Sequence, residues 1–366
     1  MKFIAEKSQI VEALQNAAAV AERRQTIPIL ANLRIKVSKD LVEVTATDLE
    51  IQIQVTTEVV SIEEEGETTV SARKMSELCR SLPDKENIEF VLSNGKLTVS
   101  SKGFHADFAT ISSDDFPELD IAEEQTSFSL ESSSLKRVLV KTSFSMASQD
   151  VRYYLNGLLL EIGDKELKGV ATDGHRLAIS TLKQGSVSGQ LRQILPRKAV
   201  LELSKLLPQS EDQVDMSIGA SYLSVKVGSL KFSTKLIDGK YPDYKKVFPT
   251  GEPSSLVIEK EKLQLALSRA SVLSNEKYRG VRFNLTENSL MLTANNPEQE
   301  SAEEVLEVGY AGPSLEIGFN IGYLSDVLGS VESDQVELVF YGEDSSCLIK
   351  EPSSDKEVYV IMPMRL

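Results

Sequence analysis

The sequence predicts an α+β protein made of three tandem copies of one domain, each with two helices packed on antiparallel sheets. Three observations predict it: phrases that recur at one spacing, a helix-then-strands rhythm that runs twice through each repeat, and a charge that separates by element.

The spacing comes first. Leu41-Val-Glu-Val-Thr-Ala-Thr-Asp48 returns as Leu167-Lys-Gly-Val-Ala-Thr-Asp173 and as Leu290-Met-Leu-Thr-Ala-Asn-Asn296. Thr47 and Thr172 lie 125 residues apart, and Asp173 and Asn296 lie 123 apart. Val70-Ser-Ala-Arg-Lys74 returns 124 residues on as Ile194-Leu-Pro-Arg-Lys198, and faintly as Ile317-Gly-Phe-Asn320. Asp115-Phe-Pro-Glu118 matches Lys240-Tyr-Pro-Asp243. A third of the 366-residue chain is 122 residues, long enough for each copy to hold its own core. Boundaries are expected near 125 and 253, giving copies 1–125, 126–253 and 254–366, with Glu123–Ser127 and Pro249–Ser255 as linkers.

Within each copy a helix precedes a run of strands, twice. Ser8–Ala21 places Ile10, Val11, Leu14, Ala17 and Ala18 on one helical stripe, and Ser133–Ala147 and Lys260–Leu273 are its counterparts. Shorter helices fit Arg73–Leu82, Arg197–Leu207 and Ile321–Ser330. Period-2 runs such as Leu33, Ile35, Val37 and Val336, Leu338, Phe340 predict strands, and Asn94-Gly95 predicts a hairpin turn.

Apolar residues make up 41% of the chain, enough for a real core, and the net charge is −15. Averaged over the molecule, that charge disfavours phosphate binding. Its placement does not. The six helical segments carry a net +7, which leaves −22 for everything else. Further cations follow the first helix of each copy: Arg23 and Arg24, Arg152, then Lys277, Arg279 and Arg282. An ordinary solvated helix surface would give a similar count, but a threefold repeat favours one basic face and one acidic face.

No apolar run is long enough to span a bilayer and the N-terminus lacks a signal-peptide core, so a cytoplasmic protein is expected. Cys79 and Cys347 are expected as free thiols. There is no GxxxxGK[ST], GxGxxG or GxSxG, and no metal-ligand spacing of His or Cys. Asp173-Gly174-His175 could be offered as part of a catalytic dyad, but copy one has Asp48-Leu49-Glu50 there, and a hairpin turn explains Asp-Gly more simply. No catalytic residue, metal or cofactor is therefore expected. Tyr153-Tyr154 follows the most basic helix, where one ring could stack on nucleic acid while strand alternation buries the other. The C-terminus, Tyr359-Val-Ile-Met-Pro-Met-Arg-Leu366, stays apolar nearly to its end, which suits a core or a peptide groove.

These phrases carry a resemblance. Thr26-Ile-Pro-Ile-Leu-Ala-Asn32, Ala46-Thr-Asp-Leu-Glu50, Gln149–Gly157, Ala171-Thr-Asp-Gly-His-Arg-Leu177, Asp238–Tyr244, Leu273–Val281, Thr293–Glu300 and Val360-Ile-Met-Pro-Met-Arg365 resemble the bacterial sliding-clamp family, the beta subunit of DNA polymerase III, over essentially the whole chain. The resemblance implies a non-catalytic processivity factor: a head-to-tail homodimer closing as a six-domain ring, with helices lining the hole around double-stranded DNA of any sequence. It implies DNA contacts at Arg24, Arg73, Gln149, Tyr153 and Tyr154, with Arg80, Arg137, Lys141, Arg197 and Lys198 as further candidates for the inner surface.

The resemblance also implies a cleft for short Gln- and Leu/Phe-containing motifs, lined by Leu155, Thr172, Gly174, His175, Arg176, Leu177, Pro242, Val247, Tyr323, Ser346, Val360, Met362, Pro363, Met364 and Arg365. Lys246 stands where an arginine is common and lacks its planar fork. The dimer seam would join copy one to copy three through Lys74, Phe108, Val272, Leu273, Glu298, Glu300, Glu303 and Glu304. Implied partners are a clamp loader complex, the polymerase III alpha subunit and other polymerases, and mismatch-repair and replication-regulation proteins; no membrane is implied. A peptide-binding scaffold that never encircles DNA is the competing reading, and neutralising Arg24 and Gln149 together separates the two.

Overall fold

Each sequence copy opens with a strand (Lys2–Glu6, Glu124–Glu131 and Ser254–Glu259) that leads into a helix, and the apolar stripe of that helix is buried. In α1 (Lys7–Ala18) the buried positions are Ile10, Ala13, Leu14 and Ala17; in α5 (Lys260–Val272) they are Leu263, Ala266, Leu267 and Ala270. Between them come α2 (Ala72–Ser81), α3 (Ser132–Ser143) and α4 (Arg197–Leu206), and α6 (Ile321–Ser330) follows. The computed structural model describes residues 1–21, 27–119, 124–163, 165–183 and 190–365. All six predicted helices are present, although α1 and α3 end three and four residues early. Past α3 the amides of Ser145 and Met146 turn to the carbonyls three residues back, which tightens the chain out of the helix. No helix among the described residues is long and apolar enough to cross a membrane.

The chain divides into two compact units, Met1–Lys136 with Leu201–Leu236, and Arg137–Val200 with Ile237–Leu366. These units are not the three sequence copies, because the sheets run across copy boundaries. In the first unit a 13-stranded antiparallel sheet pairs Ile51–Glu58 of copy one with Leu230–Lys235 of copy two, placing Phe232 opposite Ile53. In the second unit an 8-stranded sheet pairs Arg176–Lys183 of copy two with Glu357–Ile361 of copy three, placing Tyr359 opposite Ala178. A 4-stranded sheet completes that unit, with the strand Ser301–Glu307 at its edge.

The stretch expected as the first linker instead enters a strand, Glu124–Glu131. It reads as polar because that strand is a sheet edge: Phe128 and Leu130 are buried while Ser127 and Ser129 face solvent. Asn94 and Gly95 both take positive φ and close the predicted hairpin between Ser93 and Lys96.

Two cations of α3 are spent inside the second unit. Arg137 grips the buried Glu357 with two bonds, Nε to Oε1 at 2.7 Å and Nη2 to Oε2 at 2.9 Å, and reaches Glu332 with Nη1. Lys141, itself buried, lies 2.7 Å from Glu332 and donates to the carbonyl of Ser330. The Lys141 hydrogen bond in particular holds the Glu332 carboxyl below its ordinary range. These side chains lock the end of α3 to copy three and are not presented to phosphate. Arg137→Ala should therefore cost about 3 kcal/mol, since it strands a buried carboxylate; a urea melt reads this directly.

Candidate functional site

One turn, shared by copies one and two and lengthened in copy three, sets the geometry. Asp173 Oδ1 accepts from the amides of His175 (2.9 Å) and Arg176 (3.1 Å), closing the hairpin between Glu166–Thr172 and Arg176–Lys183. Asp48 accepts from the amides of Glu50 and Ile51 in copy one, and Asn296 from that of Glu300 in copy three. The repeated Ala-Thr-Asp phrase is thus a turn that uses its own side chain as an acceptor. The Asp173 carboxylate also holds Arg176 Nε at 3.0 Å. Its bonds go to the turn and to Arg176, and the His175 ring stacks instead on Tyr323. A catalytic Asp173–His175 pair does not form.

The position after this aspartate differs between copies. Copy one has Leu49 at φ 76°, its side chain packed on the cluster of Ile29, Leu30 and Phe116. Copy two has Gly174 at φ 92°, and the Arg152 guanidinium lies where a side chain would begin. A Cβ on Gly174 would come 3.2 Å from the Arg152 guanidinium. The glycine lets the arginine cross the turn closely and donate to the Asp173 carbonyl.

Around this turn the structure brings together several of the predicted cleft residues. Leu155, Leu177 and Val360 are buried in one cluster, with Tyr241 and Tyr244 above them and Val247 packed at the margin. Thr172 donates its amide to Tyr241 Oη at 3.1 Å and its hydroxyl to the Arg176 carbonyl at 2.6 Å. That anchors the segment carrying Pro242, which is itself exposed. Arg176 lies 4.6 Å from the centre of the Tyr323 ring, donates to the Phe144 carbonyl and pairs with Asp326. The side chain of Asn320 caps α6 by accepting from the Tyr323 amide, so the ring's place follows from a helix cap.

The apolar C-terminus is pinned along the same edge. The Met362 amide donates to the His175 carbonyl and the Met364 amide to the Gly318 carbonyl, both at 2.9 Å. Pro363 lies half-buried between them. Ser346 directly precedes Cys347, which pairs with Ile361, so it lies just outside that strand, next to Met362. Arg365 is exposed. Sequence reading missed Tyr241, Asp326 and the bracing role of Arg152. Only the motif around Tyr241 carried a signal, since Pro242 had been singled out beside it.

The candidate nucleic-acid residues are less concentrated. Arg24 lies outside the described residues, as does Arg23. Arg73 is exposed on α2 and bonds Glu77 at 2.8 Å. Gln149, at φ 58°, is exposed. Tyr153 and Tyr154 sit on a 3-10 turn (Tyr153–Leu155) and not on a strand; Tyr153 is exposed, while Tyr154 packs against the cleft cluster. The 3-10 turn separates them by about 120°, so one ring packs and the other does not. Arg152 braces this loop: its hydrogen bonds to Asp150 draw that carboxyl down to about 2. Lys198 is partnered, and Arg197 donates to the Met146 carbonyl. Arg80 is exposed near the end of α2.

The candidate seam residues fall on two strands and two helix ends. Lys74 is exposed on α2, and Phe108 is half-buried in the strand Phe104–Ile111. Val272, 78% exposed, and Leu273 finish α5. Glu303 and Glu304 lie in the strand Ser301–Glu307, preceded by the exposed Glu298 and Glu300. Glu304 is held by Arg269, which keeps its carboxyl below the usual range. No cluster of three or more His, Cys, Asp or Glu able to hold a metal occurs among the described residues.

Known proteins align with the chain from end to end. Models of the DNA polymerase III beta subunit match as N-terminal domain over residues 1–120, central domain over 129–243 and C-terminal domain over 245–365. A beta sliding clamp of Pseudomonas putida is 42% identical over 367 residues, and that of Escherichia coli K12 is 41% identical over 366, each with 100% of both chains covered. The crystal structure of a sliding clamp (DNA polymerase III subunit beta) from Pseudomonas aeruginosa bound to griselimycin superposes at a TM-score of 0.98, with 42% identity and 100% of both chains covered.

Proposed function

Since the chain belongs to the DNA polymerase III beta subunit family, the bacterial sliding clamps, we propose that two copies close head to tail into a six-domain ring around duplex DNA. The chain is a DNA sliding clamp, a processivity subunit that is not itself catalytic. The copy boundaries near 125 and 253 fit a domain that recurs three times per chain.

One observation carries the ring. Phe232 and Tyr359, which join the copies within the chain, stand opposite Val225 and Ile349 in their own hairpins; Ala106 stands opposite Val99 in the same way. Their seam partners Ile53 and Ala178 stand opposite Ala46 and Ala171; Ala302 stands opposite Ala294. Two such pairs are made inside the chain. The third pair of strands is left over: Ser301–Glu307 is a sheet edge, and among the described residues Phe104–Ile111 pairs on its far side only through Thr110 and Ile111. Such edges are templates for pairing with another chain. Carrying the internal register across sets Ala106 against Ala302 of a second copy, and His105 against Glu303. The seam residues Lys74, Phe108, Val272 and Leu273 with the four glutamates then flank one junction, and a two-fold axis closes the ring.

Arg24, Arg73, Gln149, Tyr153 and Tyr154 would touch phosphate loosely, and the topological link would hold the ring on DNA. The cleft from Leu155 to Arg365 would take the short motifs of the polymerase III alpha subunit, other polymerases, the loader complex and mismatch-repair and regulatory proteins, all in the cytoplasm.

The test is a cross-link. Paired residues across an antiparallel ladder have Cα atoms about 4.5–5.5 Å apart, within disulfide range. A His105→Cys, Glu303→Cys chain should oxidise to a covalent dimer that stays on circular DNA in high salt and slides off linear DNA. The native thiols should not compete, because burial raises both, Cys79 to about 12. A compact monomer at micromolar concentration with no cross-link would sink the ring.

A further inference from the structure

A pocket of about 400 Å³ lies beside the cleft, over the strands of copy three. Leu338, Ile349 and Tyr359 face the helices in the core, so by strand alternation Val339, Leu348 and Val358 face the other way and form the pocket floor. Phe248 is the shared wall, packing on the cleft cluster and lining the pocket as well.

The floor belongs to a row of cross-strand neighbours that reads differently in each copy. In copy three the row is Val339, Leu348 and Val360. In copy two the same places hold Ser217, Ser224 and Ser233, and in copy one Val91, Thr98 and Asp107. Only the copy-three row is apolar throughout, and it runs directly into the cleft, because Val360 pairs with Leu177. Adjacent strands lie about 4.8 Å apart, so Leu348 is one step from the cleft floor and Val339 two. The rim adds a sign: Lys350 lies 2.8 Å from Asp355 and 3.9 Å from Glu337, one ammonium between two carboxylates. The excess charge is negative.

We propose that this pocket is a further subsite for the residues flanking a cleft-bound peptide motif, taking a large apolar side chain with a cation next to it. The proposal rests on the reading of the cleft given above. Val339 and Val360 are buried, but Leu348 and Val358 are partly exposed on this floor, and apolar surface contiguous with a binding groove is what a longer ligand would cover; the polar row of copy two shows that the sheet does not need an apolar one.

Val339→Ser with Leu348→Ser copies the residues of copy two and should fold. Three labelled peptides are compared by fluorescence anisotropy: a short Gln- and Leu/Phe-containing peptide, and the same peptide lengthened by Gly-Phe-Arg at one end or the other. One lengthened peptide should bind the unaltered protein about tenfold more tightly than the short one, the worth of burying one aromatic side chain. In the double variant that gain should shrink to less than about twofold, while the short peptide binds as before. Exchanging Arg for Glu in the tail should remove part of the gain. The subsite is overturned if neither extension tightens binding, if the gain survives the double variant, or if the short peptide weakens equally. Failure of the short peptide to bind the unaltered protein at all overturns the cleft reading, and this subsite with it.

Discussion

Phe108→Glu should leave a folded monomer whose retention on circular DNA falls by about 100-fold or more. Phe108 is half-buried beside Leu97 on the helix-facing side of the Phe104–Ile111 strand. Two residues along the carried register from the Ala106 pair, it meets Glu300 of a second copy, with the exposed Val272 and Leu273 nearby. Glutamate removes an apolar contact and sets like charges against each other across the seam. Both effects act on the junction and leave each copy's core alone, so thermal stability at low concentration should barely move. Native mass at micromolar concentration and release from plasmid are the measurements. A stable dimer would show that the ring does not close through this edge.

Gly174→Leu should abolish capture of a short motif peptide, by about 100-fold, without changing the dimer's mass. Copy one already holds a leucine, Leu49, at this position in the same turn with a similar φ, so the fold tolerates the change. In copy two the new side chain would displace the Arg152 guanidinium from its place across the turn, beside the proposed cleft. Peptide affinity that survives the substitution would mean that the binding surface lies elsewhere.

Much of the fold was legible because its signals are local. The helical stripe Ile10, Val11, Leu14, Ala17 and Ala18 spans about two turns, and of it Ile10, Leu14 and Ala17 are buried, together with Ala13, which the stripe did not include; the Ala-Thr-Asp turn closes within four residues. Of the family-derived cleft list, Leu155, Leu177, Val247 and Val360 pack together although they come from distant segments. The charge reading fared less evenly. Arg137 and Lys141 counted toward a basic helix face, but their partners Glu332 and Glu357 lie about 190–220 residues away, beyond any sequence window.

What the order of residues determined by itself was the threefold repeat, its helices and hairpins, and the turn chemistry at Asp48, Asp173 and Asn296. Each follows from spacing and side-chain type within a few residues. What only the tertiary structure decided was which copies share a sheet, that the strand Ser301–Glu307 is left at a sheet edge, which cations are spent on buried carboxylates, and that Arg152 crosses the turn in copy two where copy one packs Leu49. The reason is physical: periodicity is written into neighbouring residues, whereas register between strands and the partner of a buried charge depend on segments that meet only when the chain has folded.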